Sequence, residues 1–369
     1  MPWNWELPDW PQFSYHLDQI ALKERQFLLE VDTACAFLKN IGDQEYSRFV
    51  VEILSLEGLE SARIEGEFLD RESLQSSIKQ HFSLRASPNQ ETNKESRMAK
   101  LLCDVYQSFD QPLTQEMLFR WHFELFNNQS NIDCGRYRTH IEPMQIVSHR
   151  YGSSKVFFEA PSSVKVPNEM AAFINWFNST NALLSILGKA AIAHVYFESI
   201  HPFKDGNGRI GRVLVEKVLS QGIGHPVLIA VSKVLEKQKK EYYTAIERCN
   251  RTLEIDHWIA FFADVILQAQ SQSMNLLCFL IEKSKLLTAL SGRLNPRQEK
   301  VLLRMFAEGL SGFQGGLSAD NYIVIAKTSR ATATRDLADL VHKRALVKTG
   351  ELRHTRYWLN LPIRINPLL

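Results

Sequence analysis

From Met98 to about Gln270 apolar residues recur three and four positions apart, and the pattern is interrupted once, between Gly135 and Pro167. A run of that length buries its apolar stripes by packing helices on helices. At the interruption the period changes. Met144–Ser148 and Val156–Glu159 are short β-type runs around a His149–Ser154 tip containing Gly152, which reads as a hairpin on a helical body. Helices are expected to resume at Asn168–Asn178, Leu184–Glu198, Gly208–Ser220, Lys233–Cys249 and His257–Leu287. Ahead of the body, Leu17–Val31 and about Gln44–Gly66 carry helical patterns, while Ser87–Glu95 is polar and expected to be a loop. Trp3, Trp5, Trp10 and Phe13 stand among prolines at the very start. They read either as an extended arm held by aromatic anchors or as local packing of the terminus.

Composition narrows the class. A chain of 369 residues with 45% hydrophobic and 23% charged residues has material for two or three globular domains, which argues against disorder or a fibrous repeat. No apolar run reaches the ~18 residues of a spanning helix, and Met1–Glu6 is neither basic nor followed by an apolar stretch. Neither membrane insertion nor export is therefore expected, and the cytoplasm is the expected location. The five cysteines are scattered and form no CxxC pair. They read as single thiols in a reducing compartment rather than a disulfide framework or zinc site. From Asn295 onward 12 Lys and Arg stand against 6 Asp and Glu, so a basic tail follows a mildly acidic body. Ser291–Pro296, bearing Gly and Pro, is the expected linker between them.

The chemistry concentrates in His201-Pro-Phe-Lys-Asp-Gly-Asn-Gly-Arg-Ile-Gly-Arg212, a loop opening into a helix near Gly208. Gly206 and Gly208 permit backbone conformations and close approaches that a Cβ would block. The helix start beyond them offers free N–H groups and a positive dipole end, an anion site. Arg209 and Arg212 lie three apart and share a face, so both can act on one polyphosphate. Ile210, Val213, Leu214 and Val218 would cover the opposite, buried side, and Phe203 would pin the loop to the core. His201 is the local group suited to take a proton from a hydroxyl near neutrality. Asp205 is a hard oxygen ligand of the kind that holds Mg²⁺ beside phosphates. Either glycine alone, or His201 alone, fits an ordinary tight turn. Together they ask for a nucleotide di- or triphosphate attacked by a side-chain hydroxyl.

The same residues resemble the signature of the Fic family at every position. Ala193–Ile200 resembles the helix ahead of that signature, as do Gly135-Arg-Tyr-Arg138 before the hairpin and Tyr242-Tyr243 with Asn250 after it. The resemblance covers about Met98–Ala269 and implies AMP transfer from ATP to a protein hydroxyl, with Mg²⁺ as cofactor. It implies His201 as base, Asp205 as metal ligand, and Gly206, Asn207 and Gly208 as the anion hole. Arg209 and Arg212 would bind the β- and γ-phosphates. The hairpin would act as a flap that aligns an extended target by strand addition, with Ile146, Val147 and Ser148 at the nucleotide site. Tyr242 and Asn250 would lie by the adenine and ribose, or serve only in helix packing.

Upstream, Ser61-Ala-Arg-Ile-Glu65-Gly66 resembles the family's inhibitory helix, expected near residues 56–66. Ser61 and Glu65 are four apart and share a helical face. By that resemblance Glu65 would pair with Arg212 and occupy the place of the γ-phosphate. Some members reuse this glutamate to remove AMP from the target, so the reverse reaction stays open.

Residues 295–369 read as helix, helix, turn, helix and two short strands: Arg297–Glu308, Ala319–Ala326, Arg330–Arg344, Leu346–Thr349 and Thr355–Leu359. Thr328-Ser329 marks a turn and cap. The order resembles a winged helix, used either on DNA or for protein contacts and dimerisation. Arg330, Thr332, Thr334 and Arg335 would face base edges, and Lys348, Arg353 and Arg356 would face phosphates. The resulting expectation is a mainly α chain. An N-terminal helical region (1–96) precedes a Fic-type core with a β-hairpin flap (97–290) and a winged helix (295–369). It is an autoinhibited adenylyltransferase with ATP, a target protein and a second copy as partners. The rival is a DNA-binding regulator that uses the same site as a nucleotide sensor.

Overall fold

The computed structural model describes residues 1–82, 93–127, 133–150, 153–179 and 184–362. The chain divides into two compact units, one of Met1–Phe37 with Val50–Ser273, the other of Leu38–Phe49 with Met274–Leu369. Among the described residues it is mainly helical, and none of its helices is long and apolar enough to cross a membrane.

In chain order the first helices are α1 (Asp18–Lys39), α2 (Asp43–Ile64), α3 (Arg71–Phe82), α4 (Lys94–Gln107) and α5 (Gln115–Phe126). A hairpin follows, β1 (Gln145–Arg150) and β2 (Ser153–Glu159). Then come α6 (Val166–Asn178), α7 (Ile186–Ile200), α8 (Asn207–Ile223), α9 (Val231–Lys237), α10 (Lys239–Cys249) and α11 (Asp256–Ala289). The tail adds α12 (Pro296–Ala307), α13 (Ala319–Ala326), α14 (Arg330–His342), β3 (Leu346–Thr349) and β4 (Arg356–Leu359).

At the centre of the first unit, α7 and α8 pack against each other. α7 is buried along nearly its whole length, and Ser185 caps it by accepting from the Gly188 amide at 2.9 Å. The Glu24 carboxylate accepts from the next two free amides, Ile186 and Leu187, at 2.8 and 3.0 Å. α8 departs from the expected one-sided burial. Its first fourteen residues are almost all buried, Arg209, Arg212, Glu216 and Lys217 included. Polar groups at that depth need partners, and Lys217 donates to the Ser108 and Phe109 carbonyls at 2.7 and 3.1 Å, which closes the end of α4.

The aromatic start is held to the body. Trp5 Nε1 donates to the Glu159 carbonyl at 2.7 Å, Trp10 Nε1 to Glu169 at 2.9 Å, and Trp3 packs edge-on against Phe158. The hairpin is antiparallel, with a bulge on β2 at Phe157 between the pairs Ile146–Phe158 and Val147–Val156. Three expectations need correction. Lys233–Cys249 is two helices, broken at Gln238, because the α9 carbonyls are closed there by the Gln238 amide. Lys94 and Glu95 belong to α4, capped by Asn93, rather than to a loop. The remainder of that loop from Ser87, and the hairpin tip at 151–152, lie outside the described residues. Finally, α3 has no counterpart in the reading above; its strongly polar sequence buries only Leu74 and Ile78.

In the second unit, α12, α13 and α14 enclose Val301, Leu302, Met305, Tyr322, Leu337 and Leu340, and the β3–β4 hairpin adds Leu346. Asp336 ties the three helices together. It accepts from Asn295 Nδ2 at 3.0 Å, Arg297 Nε at 2.8 Å and Tyr322 Oη at 3.0 Å. Asp336→Ala would leave a buried hydroxyl and a guanidinium without an acceptor. It is expected to destabilise this unit by about 2–4 kcal/mol, read as faster hydrogen exchange of the α14 amides, with the α7 and α8 amides unchanged.

Candidate active site

The loop between α7 and α8 is built from both ends. His201 ends α7 in the left-handed region (φ 50°, ψ 58°), and its amide closes onto the Phe197 carbonyl at 3.0 Å. Arg138 holds this turn, donating from Nε to the His201 carbonyl at 2.8 Å while its own amide donates to the Pro202 carbonyl at 2.9 Å. Phe203 is fully buried and stacks on His122 with ring centroids 4.2 Å apart. Asn207 closes the loop on itself. Its Nδ2 donates to the Phe203 carbonyl at 2.8 Å, and its Oδ1 accepts from the Phe203 amide at 2.9 Å. Gly206 starts α8 at φ 80°, and a Cβ there would meet the Phe126 ring at 2.5 Å. Glycine at 206 offers no side-chain cap, so the first-turn amides of α8 are left for another acceptor.

Glu65 stands beside this helix start. The end of α2 carries Glu65 against Gly208, where an added Cβ would collide with Glu65 Oε1. Arg212 Nη2 donates to Glu65 Oε1 at 2.7 Å and to the Ser61 carbonyl at 3.0 Å, and its Nε donates to Ser61 Oγ at 2.9 Å. Ser61 and Glu65 thus grip one guanidinium whose side chain is 1% exposed. Burial works against both charges. The Arg212 guanidinium nevertheless holds the Glu65 carboxyl below the usual range, and Glu65 holds Arg212 above its own. Lys239 Nζ donates to the Ile64 carbonyl at 2.5 Å and pins the helix end in place.

Around this pair lies a cavity of about 630 Å³ lined by His201, Asp205, Gly206, Asn207, Gly208 and Arg212. Ile146, Val147, Tyr242, Tyr243 and Asn250 complete the wall, a volume suited to a nucleotide-sized ligand. Ile146 and Val147 reach it from β1; the side chain of Ser148 lies outside the described residues. Asp205 is 58% exposed and accepts from the Gly206 amide at 2.5 Å. Arg209 stays off the cavity lining, stacked over Phe126 and paired with Glu67 at 2.6 Å. Tyr242 is buried, with its hydroxyl 2.8 Å from His194 Nε2. Asn250 Nδ2 donates to the carbonyl of Phe157, at the bulge, at 3.1 Å. The last two residues therefore bind the wall together as well as line it.

Burial, and Arg138 after it, hold the His201 imidazole down to about 4, so it is neutral and able to accept a proton. Its Nδ1 lies 3.4 Å from the Glu198 carbonyl and 3.7 Å from Glu198 Oε2. Burial, then the charge of Glu65, push the Glu198 carboxyl up to about 8. The sequence reading gives no role to Glu198, Arg138, Glu67 or Lys239. Arg138 and Glu198 stood inside segments it quoted, but nothing in their spacing shows which side chain turns toward His201.

Residues 112–219 match the model of the Fic/DOC family, and residues 3–84 match a domain of unknown function, DUF4172. The chain is 40% identical over 62 residues to a probable protein adenylyltransferase of Aquifex aeolicus, covering 17% of this chain and 19% of that protein. It is 24% identical over 163 residues to a protein adenylyltransferase of Caenorhabditis elegans, covering 44% and 29%. The match thus spans less than a third of either relative's own length. In fold the chain is similar to a Fic family protein from Desulfovibrio desulfuricans, with TM-score 0.55 and 18% identity over 95% of this chain and 98% of that one. A Fic-domain signalling protein from Bacteroides thetaiotaomicron gives TM-score 0.51 and 20% identity over 70% and 96%.

Two measurements test the geometry without reference to any activity. Gly208→Ala should destabilise the protein by about 1–3 kcal/mol through overpacking against Glu65. Most of that cost should vanish in a Glu65→Gly background, giving a coupling of about 1 kcal/mol or more in a double-mutant cycle. In NMR titration the His201 imidazole should stay neutral from pH 7 down to about 4.

Proposed function

We propose that this chain is a protein adenylyltransferase, transferring AMP from ATP to a hydroxyl of a target protein, and that Glu65 holds it in check. The observation that carries the reading is the Glu65 carboxylate standing at the start of α8 on Arg212, beside His201 in one cavity. A carboxylate there occupies what a glycine-opened helix start and a buried guanidinium otherwise offer to a phosphate. The adenylyltransferase names of the relatives support the same reaction.

In this reading the target hydroxyl oxygen attacks the α-phosphorus of ATP, and the bond to the departing pyrophosphate breaks. The hydroxyl proton passes to the His201 nitrogen that faces away from Glu198. The neutral imidazole suits that role. The Gly206–Gly208 amides would hold phosphate oxygens, and Arg212 would meet the γ-phosphate once Glu65 withdraws. Tyr242, Tyr243 and Asn250 would flank the nucleoside, with Ile146 and Val147 presenting the target's strand. A lone exposed carboxylate next to an anion site suits Mg²⁺ bound mostly through phosphates and water. Asp205 would hold it, and the ion would neutralise phosphate charge.

For the second unit we propose a winged helix, with α14 as the recognition helix and β3–β4 as the wing. Its exposed Arg330, Thr334 and Arg335 at the start of α14 favour duplex contact. A salt-sensitive affinity for duplex DNA, lost on deleting residues 295–369, checks it.

Glu65→Gly removes the competitor for Arg212, so ATP affinity measured by calorimetry and AMP incorporation from labelled ATP should both rise, incorporation by about 10²-fold. His201→Ala in that background should abolish incorporation and leave ATP binding intact. Incorporation in Glu65→Gly no higher than in the wild type would overturn the assignment of Glu65.

A further inference from the structure

Glu65 is not the only carboxylate that the end of α2 delivers to α8. Gly66 takes φ 81°, its amide closes onto the Arg63 carbonyl at 3.0 Å, and the Glu67 amide closes onto the Ala62 carbonyl at 2.9 Å. That is a Schellman turn with Gly66 at its left-handed position. It reverses the chain within one residue, so Glu65 and Glu67 both reach α8 although they are two apart in sequence. Glu67 Oε2 lies 2.6 Å from Arg209 Nη1. The Arg209 side chain is 6% exposed, packed over Phe126, with Asp205 Oδ1 at 3.6 Å from Nη2 and its buried Nε without a hydrogen bond.

Resting on the phosphate-binding reading above, we propose that Glu67 is a specificity-determining residue that closes Arg209 to the ligand and so sets how long a phosphate chain the site accepts. With Glu65 on Arg212 and Glu67 on Arg209, two carboxylates balance the two guanidiniums of the signature. A polyphosphate must displace both. A ligand with a single phosphate can be held by the first-turn amides of α8 without needing either arginine. The penalty therefore falls on the distal phosphates and grows with chain length. Gly66 is the hinge that makes this possible, since a Cβ at φ 81° strains the turn that aims Glu67.

The test is calorimetry on the full chain with AMP, ADP, ATP and inorganic tripolyphosphate, comparing wild type, Glu67→Gln, Glu65→Gly and the double variant. Glu67→Gln keeps the side chain's size and removes its charge. It should tighten ATP and tripolyphosphate on the order of tenfold, tighten ADP less and leave AMP unchanged. The gains from Glu65→Gly and Glu67→Gln should add, because they free different arginines. Arg209→Gln should erase the Glu67→Gln gain and spare the Glu65→Gly gain. Equal tightening of AMP and ATP, or no change in any ligand, would overturn the proposal, since a merely structural ion pair has no dependence on phosphate number. Should tripolyphosphate tighten while no adenine nucleotide binds any variant, Glu67 keeps this role and the adenylyltransferase reading falls.

Discussion

The Arg212 side chain is buried on α8, and a guanidinium at that depth must have an anion. In this structure the anion is Glu65, backed by both oxygens of Ser61. Much of the site follows from meeting that requirement. α2 must end where its last turn meets the first turn of α8, Lys239 must hold the α2 end, and residue 208 must be glycine for the carboxylate to fit. The pair also sets the local field. Glu65 adds to the burial that keeps Glu198 protonated, and Arg212 opposes the charging of His194.

The surrounding scaffold fixes the loop rather than the ligand. Arg138, Phe203 and the two-way Asn207 bond make the His201–Gly208 turn rigid before anything binds. Such preorganisation costs no reordering when charge develops. The flap is joined to the same framework from behind. Asn250 holds the bulge in β2, its own carbonyl accepts from the Asn4 amide at 2.8 Å, and Trp5 takes the carbonyl of Glu159. The aromatic start of the chain is thus part of what sets the flap's position.

Periodicity alone marks the helical body, the hairpin and the order of helices and strands after residue 295, because each depends on local spacing. The α13 bounds agree to the residue, since Ser318 caps its start and Lys327 turns left-handed at its end. The single helix expected across Lys233–Cys249 fails because nothing apolar distinguishes Gln238 from its neighbours. α3 escapes for the opposite reason: two buried residues in a charged segment do not make a stripe.

The glycine-opened loop, the two arginines three apart, and a serine and glutamate sharing a helical face are legible in the chain alone. These are consequences of chain geometry over a few residues. What those groups meet is set by folding. Glu65 and Arg212 are 147 positions apart, and Glu67 and Arg209 are 142 apart. Nothing in local spacing encodes a contact across that distance. Whether Arg209 stands free or already paired depends on how α2 packs beside α8. So does the protonation of His201 and Glu198, because both are governed first by burial, which belongs to the folded molecule and not to the residue.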